Sequence, residues 1–323
     1  MTTERMLLPE PTTLFMHATP VQLALLFAAA FIAGAINSVA GGGTLLTFPA
    51  LLSVLGGLPN GSILANGTST VALVPGSLSA FWGYRGEMDG DRRLLWTLAV
   101  PSLLGGALGA YLATHVSAGL FSHLVPWLIF TATFLFLIQD WVRRRLGGKG
   151  TPAPRPSPAS GRGGHEEEGR GEDASSSSPG SLSDSPLPLA GEGRGVGASS
   201  ALPLGAMLFQ FFVAVYGGFF GAGIGILMLA ALGFLGQTNI HRMNGLKNFA
   251  AVCINGVGAL TFILYRRVDW PLAALMAVAA VAGGLGGAGL ARRIGQANVR
   301  RIVIAIGLGF GVKTLLDQLH VKL

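Results

Sequence analysis

One cysteine in 323 residues rules out an intrachain disulfide and leaves no basis for a zinc or iron–sulfur site. That thiol, Cys253, reads as a small packing residue. Charge is scarce too: 11% of residues are Asp, Glu, Lys or Arg, against about 25% in a typical soluble domain. No Asp or Glu falls in the middle of an apolar segment, because Glu87, Asp89, Asp91, Asp140, Asp269 and Asp317 all sit at ends or in loops. A cation pump or antiporter usually needs a carboxylate inside the membrane, so cation transport is disfavoured. If protons are coupled to transport, His241 and Asp269 are the candidate carriers; otherwise His115, His123 and His241 read as interfacial residues. Gly-x-Ser-x-Gly elbows, paired carboxylates and His-based metal spacing are also missing. The expectation is therefore no enzyme, no metal and no cofactor.

What is present is apolar. Half of the residues are hydrophobic and mean hydropathy is +0.57. About 20 such residues in a row cross the hydrocarbon. Segments 64–84, 94–115, 119–139, 270–291 and 302–319 meet that length, and 248–265 meets it with packed neighbours. The fold class is all-α, a polytopic membrane protein of about 8–10 apolar segments. The formal charge of +7 does not signal nucleic acid. Arginines cluster beside the apolar segments at Arg92-Arg93, Arg143-Arg144-Arg145, Arg292-Arg293 and Arg300-Arg301, where topology determinants belong. Residues 1–20 form an N-terminal tail without the basic start of a signal peptide, so 21–36 reads as retained.

The chain also repeats itself. Gly41-Gly42-Gly43-Thr44-Leu45-Leu46 returns as Gly223-Ile224-Gly225-Ile226-Leu227-Met228, and at the same offset Asn66 returns as Asn248. The run Gly105 to Ala110 is echoed by Gly283 to Ala288. Duplicated apolar halves of this kind belong to transporters, whose sites lie where the halves meet. The repeats are 21–146 and 201–319, each a short, broken or re-entrant helix pair plus three transmembrane helices. Between them, 147–200 is dense in Gly, Pro and Ser and reads as a disordered linker with no chemistry. Segments 21–36 and 222–236, about 15 residues each, reach roughly 23 Å, less than a hydrocarbon core of about 30 Å. Whether they span or re-enter is left open. With the N-terminus outside, Arg85, Arg92, Arg93, Arg143 to Arg145, Arg242, Lys247, Arg292, Arg293, Arg300 and Arg301 fall inside with the linker. The two repeats are then inverted.

Three sets of residues are candidates for the site. Gly41, Gly42 and Gly43, with Gly221, Gly223 and Gly225, each open an apolar segment. A helix N-terminus offers unpaired N–H groups and partial positive charge to an anion; the structural alternative is close helix packing. A dinucleotide reading of Gly-x-Gly-x-Gly fails, since no strand precedes it and no ribose-binding acid follows. The second set is Asn66, Thr68 and Ser69, mirrored by Asn248, with Asn255 two turns on. These neutral side chains suit a partly dehydrated anion, or else serve interhelical hydrogen bonds. The third is Lys247, either a compensating charge or a side chain snorkelling to the surface. Asn37-Ser38, at the first glycine turn, is a weaker candidate. Prolines 49, 75, 101, 126 and 271 read as kinks.

These residues together resemble the sulfite exporter TauE/SafE family of bacterial membrane proteins. The likeness rests on Gly41-Gly42-Gly43 running to Pro49, on Ala65 to Thr70, on Asn244 to Asn248, and on the Gly105 and Gly283 runs. It covers about 20–146 and 203–319. Two departures stand out: Ile224 replaces a usual glycine, and Ala231 stands where the first half has Pro49. The resemblance implies a secondary transporter in the inner membrane for sulfite, sulfoacetate or a related organosulfonate or organic anion, working by alternating access. A passive anion channel or a non-transporting scaffold is the alternative. The partners expected are a small anion and the lipid bilayer, with no nucleic acid; a homo-oligomer is left open.

Overall fold

The structure, a computed structural model, describes residues 18–39, 41–83, 92–146, 204–234, 237, 240–294 and 296–320. Among these are ten helices and no strand. The first half holds α1 (Pro20–Val39), α2 (Thr44–Leu55), α3 (Gly61–Gly83), α4 (Arg92–His115) and α5 (Ala118–Leu146). The second holds α6 (Leu204–Phe219), α7 (Ile224–Phe234), α8 (Ile240–Leu264), α9 (Trp270–Ile294) and α10 (Gln296–His320). Each half thus has five helices in matching order. The linker expected at 147–200 lies outside the described residues.

Local chemistry explains several boundaries. Proline is favoured in the first turn of a helix, and α1 starts at Pro20 behind a reciprocal cap: Gln22 N donates to Thr19 Oγ1 at 3.3 Å and Thr19 N donates to Gln22 Oε1 at 2.9 Å. At the end of α8, Arg266 takes the left-handed conformation (φ 53°), while Arg267 N donates to Phe262 O at 2.8 Å, the closing bond of a Schellman turn. Asp269 then caps α9 through Leu272 N, which donates to Oδ1 at 3.1 Å.

Two length expectations need correction. The segment expected at 248–265 is α8, Ile240–Leu264, 25 residues long, because Asn244 to Asn248 is part of the helix and does not precede it. The first segment is not a 15-residue stub at 21–36, because α1 runs 20 residues, about 30 Å at 1.5 Å per residue. The helix continues past the polar Asn37 because that side chain finds partners inside the protein. The short members are α2, α6 and α7, with 12, 16 and 11 residues. By length and apolar content, Pro20–Asn37, Leu94–His115, Ala118–Ile138, Arg242–Leu264 and Arg301–Leu319 suffice to cross a membrane. Apolar side chains such as Phe212, Leu264, Val278 and Leu285 stand exposed on the outside, with Trp82, Trp96, Trp127 and Trp270. A water-soluble surface would not carry such a coat; lipid accepts it. This is a multi-pass membrane protein.

The halves exchange helices. α4 packs on α6 and α8 of the other half, and α9 reciprocally packs on α1 and α3. α3 meets α8 directly, and α5 meets α10. Glycines make the two main crossings tight. A Cβ on Gly109 or Gly218 would run into the carbonyls of Val215 or Gly106, and one on Gly34 or Gly283 into those of Ala280 or Phe31. Since lipid tails are as apolar as leucine, such close backbone contact is what holds membrane helices together.

Candidate functional site

The two glycine turns meet. Gly41 N donates to Ile36 O at 3.3 Å, ending α1, and Gly221 N donates to Tyr216 O at 3.4 Å, ending α6. Gly41, Gly42, Gly221 and Gly223 all have positive φ, between 70° and 112°, a region that costs an L-residue roughly 1–2 kcal/mol. A Cβ on Gly41 would come within 2.8 Å of Gly225 Cα, and one on Gly42 within 3.0 Å of Gly223 N. All six candidate glycines, 41, 42, 43, 221, 223 and 225, are buried. Phe48 of α2 packs edge-on against Phe220 beside the second turn, ring centroids 5.2 Å apart. The starts of α2 and α7 therefore face a shared interior region.

The turns are pinned by different groups. Gly42 N donates to Asn37 Oδ1 at 3.3 Å, while Tyr216 OH donates to Ala222 O at 2.9 Å. Asn37 Nδ2 donates onward to Ser77 Oγ at 2.8 Å, which also accepts from Asn255 Nδ2 at 3.3 Å and donates to Leu73 O at 3.0 Å. This chain ties α1 and α3 of one half to α8 of the other. Ser77 is the residue that sequence reasoning missed. Its only signal was a small polar side chain in an apolar helix, a feature shared with Ser79 and Ser102. Ser77→Ala removes the acceptor of both asparagines. It is expected to cost about 1–2 kcal/mol at the roughly 0.6 kcal/mol typical of a membrane hydrogen bond, read as a lower thermal midpoint in detergent.

The polar cluster opening α3 is largely committed to structure. Asn66 Nδ2 donates to Phe219 O at 2.8 Å, satisfying a carbonyl at the end of α6. Thr68 Oγ1 accepts Asp269 N at 2.9 Å, and Ser69 Oγ shares a 2.5 Å hydrogen bond with Thr47 Oγ1. Asn66 thus ties α3 to α6, and Thr68 docks the α8–α9 connection. Among the described residues, the buried side-chain atoms without a hydrogen-bond partner include Asn66 Oδ1, Asn248 Nδ2, Arg267 Nε and Asp269 Oδ2. Leaving such a group unsatisfied costs about 1–3 kcal/mol. Burial pushes the Asp269 carboxyl up, against the lowering effect of the Leu272 N–H. The His241 side chain lies outside the described residues.

Lys247 does not snorkel. It is 1% exposed, on α8 beside Asn248, and it interacts with a neighbour. The matching position in the first half is the apolar Ala65, also buried, so the two halves differ by one interior lysine. No group of three or more His, Cys, Asp or Glu able to hold a metal occurs among the described residues.

Comparison with known proteins bears on what such a centre does. The family model described as "Sulfite exporter TauE/SafE" matches residues 26–314. A "Probable membrane transporter protein" of Haemophilus influenzae is 26% identical over 303 residues, covering 92% of this chain and 95% of the relative. The "Probable membrane transporter protein YfcA" of Escherichia coli K12 is 27% identical over 315 residues, covering 95% and 94%. A Sinorhizobium protein, "Probable membrane transporter protein ORF9", is 40% identical over 116 residues, or 35% of this chain and 42% of the relative. No solved structure matches.

Proposed function

The chain belongs to the sulfite exporter TauE/SafE family, and from that membership we propose that it is a secondary transporter moving a small anion across the bacterial inner membrane. Sulfite, sulfoacetate or a related organosulfonate or organic anion is the cargo class; outward movement is what the family's name suggests. The observation that carries the reading is the mutual burial of two glycine turns, one from each half, with positive helix ends converging. In the described conformation the turns touch. An anion between them requires the halves to part, which is the movement alternating access needs.

In this mechanism, backbone N–H groups of Gly41 to Gly43 and Gly221 to Gly225 receive the anion, and those of Gly41, Gly42 and Gly221 exchange their internal hydrogen bonds for it as the halves part. Asn248 enters the neutral shell with its unpartnered Nδ2, Asn66, Thr68, Ser69 and Asn37 join by giving up their present ties as the halves part, and Lys247 supplies the compensating charge. The unpaired Asn248 Nδ2 supports its part: a buried donor gains most when a charged acceptor arrives. The reciprocal helix exchange and the arginine distribution support inverted repeats with the N-terminus outside and 147–200 in the cytoplasm.

Counterflow in proteoliposomes tests this, using labelled sulfite, sulfoacetate, sulfate and acetate. Asn248→Ala is expected to slow flux about 10- to 100-fold, since a hydrogen bond to a charged group contributes roughly 1.5–3 kcal/mol. Asn66→Ala should do the same with additional loss of stability, because it also frees the Phe219 carbonyl. Unchanged flux in both variants would remove the shell. Large unitary currents in a voltage-clamped bilayer would make the protein a channel, and no flux of any anion would leave a scaffold.

A further inference from the structure

A second polar constellation lies away from the glycine turns. The ends of α2 and α10 and the starts of α3 and α5 enclose a cleft of about 700 Å³, within the range of small-molecule sites. Its apolar wall is Leu52, Val125 and Phe310, and its charged side is Lys313 and Asp317. These two charges sit one turn apart in the span Arg301–Leu319. Ionisable groups near the end of a spanning helix reach the interface or line a cavity, and these two line the cleft. The floor is built: Ser62 Oγ and Ser122 Oγ lie 2.9 Å apart, and Gln318 Nε2 donates to Ser122 O at 2.6 Å.

We propose that this cleft binds a zwitterionic phospholipid, its phosphate on Lys313 and its ammonium on Asp317. Depth supports a lipid. Lys313 and Asp317 lie seven and three residues before His320, about 10 and 5 Å from the helix end. With the helix end at the outer edge of a bilayer about 40–45 Å thick and a core of about 30 Å, each headgroup layer is about 5–7.5 Å deep; Asp317 then lies within it, and Lys313, just below, reaches it with its four-carbon stem. Position supports it as well. The charged flank of α10 borders an apolar outer stripe formed by Val312, Leu316 and Leu319, all exposed, along which acyl chains can lie. Charge pattern chooses the headgroup: an anionic lipid would pair with Lys313 but be repelled by Asp317, whereas phosphatidylethanolamine satisfies both. The site is separate from the transport reading, since it shares no residue with the proposed anion shell.

Native mass spectrometry of the full chain, released from micelles with equimolar phosphatidylethanolamine and phosphatidylglycerol, tests the proposal. Wild type should retain phosphatidylethanolamine about tenfold over phosphatidylglycerol. Lys313→Gln and Asp317→Asn should each abolish that preference with unchanged elution on size exclusion, as both side chains are exposed. Arg301→Gln, at the opposite end of α10, should leave it intact. Equal retention of the two lipids by wild type, or retention unmoved by both cleft variants, overturns the proposal. Displacement of the lipid by sulfite or methanesulfonate also overturns it, by making the cleft a solute mouth.

Discussion

Gly41→Val is expected to eliminate the folded, monodisperse protein from detergent extracts, while Gly57→Ala leaves the elution profile and thermal midpoint unchanged. Gly41 has φ 70°, and a Cβ there would stand 2.8 Å from the Cα of Gly225. The left-handed conformation costs an L-residue roughly 1–2 kcal/mol, more when β-branched. Overpacking against backbone adds about 1–3 kcal/mol, and backbone cannot swing aside as a side chain does. Gly57, in the α2–α3 turn, meets nothing within 4 Å. A Gly41→Val protein as stable as wild type would mean that the two turns do not touch.

Lys247→Met is expected to lower anion flux about 100-fold in counterflow, and Lys247→Arg to retain an intermediate rate. Two unit charges about 4 Å apart at an effective dielectric constant near 20 attract by about 4 kcal/mol, a ceiling of about a thousandfold on occupancy. Part of that is offset by desolvation. Because Lys247 interacts within the fold, thermal midpoints are recorded alongside, and the arginine variant separates charge from packing. Wild-type flux in the methionine variant would assign Lys247 to structure alone.

The positions of the helices were readable from apolar runs, and their ends lay within a few residues of Gly, Pro or charged boundaries. The error at 21–36 has a definite cause. Asn37 reads as the end of an apolar segment, yet Ser77 and Gly42 satisfy it and the helix continues to Val39. The pairing of the glycine turns followed from duplication and was expected. Interhelical ties were weighed for Asn66 and its neighbours, but their partners were not visible, because Phe219 and Asp269 lie 153 and 201 residues away. Lys247 shows the same limit. Its type and spacing allowed either the surface or the interior, and only the packing of α8 among its neighbours placed it inside.

Apolar run lengths alone settled that this chain is helical and lives in a membrane, since runs of about 20 residues match a spanning helix whereas a barrel strand needs only about 9–11. Tertiary structure decided which helix lies against which. Apolarity makes no distinction among neighbours in lipid, so the exchange of α4 and α9 between halves depends on where glycines let two backbones approach. It likewise decided which polar atoms remain unpaired, a property of three-dimensional neighbours that no local run of residues encodes.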